Sequence, residues 1–241
     1  MFGEALRFPV AGDSALKNHL IGGVLGILGF LLIPAFFVQG YLVRVLRVAV
    51  EGGDEPPVFD EWGDLLVDGL KLFVVTLAYF IVPTIVMFVS IFAFVGVASV
   101  STGAPGEVPS SAFAGAGIDG LLLLLVSMLL FFLAAYLVPA AAANFARHDD
   151  LGKAFEFGTV VDAAFSADYF VAVVFAILVG LIVGAVTVFL SIIVVGLILV
   201  PFLSFYTQVA TYYLFGRGFA KAMDLDGPGG ATGTGTARPY E

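Results

Sequence analysis

Hydrophobic and polar positions in this chain do not alternate along its length; they fall into long blocks. Residues 20–43, 72–100 and 120–146 contain no Asp, Glu, Lys or Arg, and 169–216 is a fourth such run. A hydrocarbon core of about 30 Å needs roughly 20 apolar residues of helix. The last run is long enough for two crossings, 169–190 and 193–216, with a turn near 189–195. The pattern therefore predicts five membrane spans, each satisfying its own backbone hydrogen bonds in lipid. Strands of a β-barrel would alternate apolar and polar over about 10 residues, and these runs are apolar on every face. The expected class is all-α: a polytopic transmembrane bundle over residues 1–222, followed by a disordered cytoplasmic tail, 223–241, rich in Gly, Thr and Pro. The first run follows Glu4 and Asp13 and leads into Gln39, Tyr41 and Arg44 with no small-residue cleavage site, so it is expected to be retained.

The polar connectors carry their own pattern. From Asp60 onward, Phe59, Trp62, Leu65, Leu66, Leu70 and Phe73 lie broadly on one side of a helix, and Asp60, Glu61, Asp64 and Asp68 on the other. Asp60 is the expected N-cap. This is the signature of an interfacial amphipathic helix, with Trp62 at headgroup level. The second connector, 149–168, is similar but less regular, with Phe155 and Phe165 on its apolar side. Phe59, Trp62, Leu65, Leu66, Phe155 and Phe165 are thus the membrane-interface candidates.

Four β-branched–proline pairs sit inside the apolar runs: Ile33-Pro34, Val82-Pro83, Val138-Pro139 and Val200-Pro201. A polar residue follows three of them (Gln39, Asn144, Tyr206), and then an arginine closes the span (Arg44, Arg147, Arg217). The spacing predicts an internal repeat, in the same sense each time, of connector, span, turn and proline-bearing span. Proline inside a span removes one backbone bond and kinks the helix.

Charge fixes the orientation. Eight of the ten Lys and Arg lie in 44–71, 147–168 and the C-terminal segment, and none lies in 103–119 or near 190. By the positive-inside rule those three regions are cytoplasmic. Five spans leave Arg7 and Lys17 outside, against the rule. A six-span alternative folds 18–46 into two helices, but each arm of about 15 residues reaches only about 22 Å.

Composition narrows the function. The chain is 61% hydrophobic and 12% charged, with no cysteine and a net charge of −9. Soluble domains average about 25% charged. A disulfide scaffold and a nucleic-acid binder are excluded. The acidic balance suits a high-salt cytoplasm and argues against recruitment to anionic lipid, which uses clustered Lys and Arg. No carboxylate, Lys, Arg or His lies within the apolar runs, and no nucleophile elbow, P-loop or HExxH motif occurs. Asp60, Asp64 and Asp68 stack at helical spacing and read as a solvated acidic face, not a divalent-cation site. His19 and His148 border span ends and are expected to be solvated. Gln39, Asn144, Tyr206 and Gln208 are the intramembrane polar candidates, read as interhelical hydrogen bonds before a transport seam. Gly22/Gly26 and Gly180/Gly184 have the spacing of close helix packing, within one chain or between copies.

The stretch Gly40-Tyr41-Leu42-Val43-Arg44-Val45-Leu46-Arg47, followed by Gly52, Pro56-Pro57, Trp62 and Gly69, resembles the archaeal multi-pass family catalogued as domain of unknown function 4013, frequent in haloarchaea. The resemblance spans roughly residues 1–222. More distantly, the repeated proline-bearing spans are similar to the membrane domain attached to some glycerophosphodiester phosphodiesterases, which is not their catalytic part. The resemblance implies a membrane location and an archaeal origin, and transfers no activity.

These readings converge on a non-enzymatic, multi-pass cell-membrane component that organises partner proteins or lipids. The alternative is a permease or channel for a small uncharged solute. The expected partners are the lipid bilayer and other membrane proteins or a second copy, with no nucleic acid, metal or cofactor.

Overall fold

The computed structural model describes residues 1–103, 110–192 and 194–225, without the side chains of 93–103, 110–117, 194, 195 and 197. Eight α-helices are present among them: α1 (Phe2–Arg7), α2 (Ala15–Ile27), α3 (Ile33–Val50), α4 (Trp62–Gly103), α5 (Ser110–His148), α6 (Phe157–Ala164), α7 (Ala167–Ser191) and α8 (Val194–Ala222). Short 3-10 turns follow α1, α2 and α5 at Phe8–Val10, Leu28–Leu31 and Leu151–Phe155. No strand occurs among the described residues. Five stretches are long and apolar enough to cross a bilayer: Ile33–Val50, Trp62–Phe92, Ile118–His148, Ala167–Ser191 and Ile198–Ala222. The protein is a multi-pass helical membrane protein.

Two expected boundaries move. The apolar run 20–43 is not one helix. It breaks between α2 and α3, where Leu32 takes φ 62° and ψ −51° and Pro34 stands in the first turn of α3. Proline at that position has no N–H to leave unpaired and its fixed φ starts a helix readily, so the chain turns there although nothing polar interrupts it. Conversely, the acidic connector helix is not separate from its span. α4 starts at Trp62, after Glu61 at φ 44°, and runs for 42 residues, about 63 Å. Asp60 is consequently not its N-cap; the Glu61 carbonyl accepts from the Asp64 and Leu65 N–H groups instead. Pro83, Pro139 and Pro201 all lie inside helices. α7 ends at Ser191 and α8 starts at Val194, within the expected turn region, of which residue 193 is outside the described residues. Most of the predicted disordered tail, 226–241, is likewise outside them.

The chain divides into two compact units, Met1–Phe73 with Pro139–Glu241, and Val74–Val138. In the first, α8 packs against α7, α3, α2, α1 and α6. Small residues set these distances. A Cβ on Gly216 would meet the Ala49 Cβ of α3 at 2.6 Å, and one on Gly218 the Ala172 Cβ of α7 at 2.4 Å. Gly22 and Gly23 of α2 lie directly under the Phe205 and Phe202 rings of α8. The expected close packing at Gly22 is therefore found inside the chain, whereas Gly180 and Gly184 have nothing within 4 Å. Phe8 stacks on Tyr213 at 4.2 Å, which ties the N-terminal segment to α8.

The second unit holds parts of α4 and α5. Phe80 and Phe131 lie 5.7 Å apart beside an apolar cleft of about 450 Å³. Its buried hydroxyls bond back to their own helices, Ser90 to Val86 O and Ser127 to Leu124 O, as expected where no water is at hand. The outer faces of both helices, including Phe88, Phe92 and Leu129, are exposed apolar surface.

Candidate functional site

The chemistry of the molecule gathers where α3, α4 and α5 meet. α3 and α4 cross backbone to backbone. A Cβ on Gly40 would sit 1.8 Å from the Leu65 carbonyl oxygen, and one on Gly69 would sit 1.9 Å from that of Phe36. Phe36/Gly40 and Leu65/Gly69 are each four apart, so one face of each helix supplies both the glycine and the carbonyl it admits. This crossing is a reciprocal small-residue contact of the kind membrane helices use to approach closely.

One carbonyl of the loop between α3 and α4 joins two helices. Pro57 O accepts from Asn18 Nδ2 at 2.9 Å and from the Tyr41 hydroxyl at 3.0 Å. Phe59 stacks on Tyr41 at 4.1 Å with the rings nearly parallel, and Phe205 of α8 closes the cluster at 5.4 Å from Tyr41. Phe37 meets Trp62 edge to face at 5.2 Å.

An ion-pair lattice surrounds this crossing. Arg44 donates to Asp60 and, at 3.1 Å, to Glu61. Arg47 lies 3.5 Å from Asp68 and 3.6 Å from Asp149, and its Nε donates to the Ala146 carbonyl at 3.1 Å. Lys71 bridges the same two acids, 3.1 Å from Asp149 and 3.7 Å from Asp68. Asp68 is the buried member, with its side chain 10% exposed. The lattice lines a cleft of about 870 Å³. Its arrangement is that of a clamp: each cation is engaged by at least one carboxylate from another segment, and the ends of three helices are fixed together.

The second connector is tied down similarly. Asn144, fully buried near the end of α5, donates to Lys153 O at 2.8 Å. Asp150 accepts from the Gly152 N–H at 2.8 Å. Lys153 donates to Glu156 and holds that carboxyl below the ordinary glutamate range. Ser166 then caps α7 through the Tyr169 N–H at 3.1 Å. Between them α6 buries Val160, Ala163 and Ala164 and exposes Phe157, Val161 and Phe165, at i, i+4 and i+8.

The pattern of the family described as protein of unknown function (DUF4013) matches residues 27–195, more than two thirds of the chain. The match takes in the α3–α4 crossing, the lattice and the second connector. The chain belongs to this family. No curated protein and no solved structure matches it.

In this DUF4013 protein the interface candidates divide. Phe59 and Leu65 are core residues, Leu66 and Phe155 are half-buried, and Trp62 and Phe165 are exposed. Part of the expected apolar face, Phe59 and Leu65, is covered by α8 and α3, whereas Leu70 and Phe73 are exposed and Asp68, expected on the polar side, is buried. The intramembrane polar candidates do not converge. Asn144 serves the connector. The Tyr206 hydroxyl donates to Leu6 O at 2.6 Å, Gln208 is exposed and bonds Ser204 O of its own helix, and Gln39 is half-buried on α3. His19 is half-buried against Phe205 and Tyr206 and bonds Ala15 O, while His148 is exposed. The acidic stack separates as well: Asp60 and Asp68 are held by cations and Asp64 is exposed. Sequence reasoning passed over Asn18, Asp149 and the Gly40/Gly69 pair. The available signal was that each connector sets bases at the span ends among a larger number of acids, so every cation there has a carboxylate within reach.

Proposed function

We propose that this DUF4013 protein is a non-enzymatic membrane component that organises lipids or partner proteins at the face where α3, α4 and α5 meet their connectors. The observation that carries this reading is how that face divides its side chains. Arg44, Arg47 and Lys71 are engaged by acids of the same chain, which makes the charged groups structural. Trp62 at the start of α4 and Phe157, Val161 and Phe165 of the second connector are exposed. Aromatic residues next to span ends settle at headgroup depth, and an interfacial helix binds through its apolar face.

Under the positive-inside rule this face is cytoplasmic. The proline-bearing spans are a repeated unit on this reading: Pro83, Pro139 and Pro201 each fall inside a long helix, and Pro34 begins one. The acid excess, 19 Asp and Glu against 10 Lys and Arg, fits a haloarchaeal cytoplasm.

Native mass spectrometry of gently extracted protein tests the role. Lipid or a partner subunit should be retained in stoichiometric amount, and the triple variant W62S/F157S/F165S should release it with helix content unchanged. A wild-type chain that arrives bare overturns the reading, and solute flux in liposomes would then establish the permease alternative.

A further inference from the structure

We propose that α2 and α3 form a re-entrant hairpin that enters and leaves a single leaflet from the lysine- and arginine-bearing face, with residues 30–33 at its apex in hydrocarbon. The bases of both arms are pinned to one point, since Asn18 at the start of α2 and Tyr41 on α3 donate to the same Pro57 carbonyl. That point lies on the polar side, three residues before Asp60, the partner of Arg44. From there the arms are short. α3 has eleven residues between Ile33 and Val43 before its first arginine, about 16 Å of helix. From Asn18 through the 3-10 turn ending at Leu31, α2 rises about 23 Å. Neither reaches across a core of about 30 Å. α3 therefore passes as a span by length and composition only, because its last two turns carry Arg44 and Arg47 into the lattice.

The surface of the hairpin suits hydrocarbon. Leu16, Leu20, Val24, Ile27 and Leu31 form one exposed stripe of α2, and Phe30 and Leu32 stand exposed at the apex. In water such a patch would be a liability; with the exposed apolar residues of α7 in the same unit, such as Ile177 and Leu181, it makes a surface suited to lipid. The turn is also built for a place without water. Leu32 takes the positive φ at the turn; its N–H bonds Gly29 O, its carbonyl accepts from Phe36, and Pro34 has no N–H to satisfy.

The charge pattern follows without exception. With the hairpin re-entrant, α4, α5, α7 and α8 are the full crossings, an even number. Arg7 and Lys17 then share a side with Arg44, Arg47, Lys71, Arg147, Lys153, Arg217 and Lys221, and residues 74–138 contain no Lys or Arg at all. The conflict that five crossings create at the N-terminal charges disappears.

The chain has no native cysteine, so single-cysteine variants report topology directly. Gly3, Gly29 and Gly63 have open space where a side chain would go, and Asp119 lies about 42 Å along α5 from Arg147. In sealed membranes, Gly3→Cys and Gly63→Cys should react with an impermeant maleimide from the same side and Asp119→Cys from the other. A bimane on Gly29→Cys should be quenched several-fold more by a nitroxide deep in the acyl chain than by one at the headgroup. Labelling of Gly3→Cys from the Asp119 side overturns the proposal, as does labelling of Gly29→Cys by the impermeant reagent from either side.

Discussion

At the scale of single residues, Gly40 makes the closest glycine approach among the described residues. Gly40→Ala places a methyl 1.8 Å from a backbone oxygen, and backbone cannot swing aside as a side chain can. It should cost more than about 2 kcal/mol, the range of overpacking in a close-packed interior. Gly180→Ala meets nothing and should stay within about 0.5 kcal/mol. Unfolding by SDS in mixed micelles separates the two, and equal losses would mean that the crossing is not tight. Asp68 offers a second contrast. Asp68→Asn removes the carboxylate that lies between Arg47 and Lys71, leaving Asp149 to serve both cations. Removing one partner of a buried pair leaves uncompensated charge; with both cations partly solvated the loss should be about 2 kcal/mol, against about 0.5 kcal/mol or less for the exposed Asp64→Asn. None of this was legible in the sequence. Arg47 and Ala146 are 99 positions apart and Lys71 and Asp149 are 78 apart, and a glycine's neighbours across two helices leave no periodic trace. The pairs that spacing did mark, Gly22/Gly26 and Gly180/Gly184, turned out packed in one case and open in the other.

At the scale of elements, the apolar blocks predicted helices well and their ends poorly, for a physical reason. Block reading takes polarity as the mark of interruption. In α4 the acids at 64 and 68 keep helical spacing, so the backbone continues through them for the full 42 residues. At the α2–α3 junction nothing polar intervenes, yet backbone geometry breaks the helix at Leu32. A positive φ on a residue with a Cβ costs roughly 1–3 kcal/mol, and the Leu32 side chain is 68% exposed, so little packing opposes its removal. Leu32→Gly should therefore stabilise the protein by about 1 kcal/mol, after the entropy glycine adds to the unfolded chain is set against the relieved strain. Leu32→Val, branched at the same carbon, should destabilise it. Thermal unfolding of both variants checks this, and a loss of stability in Leu32→Gly would mean that the apex side chain is anchored by its surroundings.

At the scale of the whole molecule, two electrostatic terms oppose each other, and salt decides between them. The lattice is attractive, but Arg44 and Asp68 have side chains only 12% and 10% exposed, so mobile ions screen them weakly. The excess negative charge is repulsive and sits in the open, as at Asp13, Glu51, Asp54, Glu55 and Asp64. At about 1 M salt the Debye length falls to roughly 3 Å, which removes repulsion between such exposed groups while leaving close buried pairs largely intact. Raising KCl from low to molar concentration should therefore raise the denaturant midpoint of the purified protein. The opposite response, a midpoint that falls with salt, would place most of the electrostatic stability in the exposed half of the ion pairs. It would also count against the proposed high-salt setting, because an acid excess matched to salt must gain stability as repulsion between its surface carboxylates is screened.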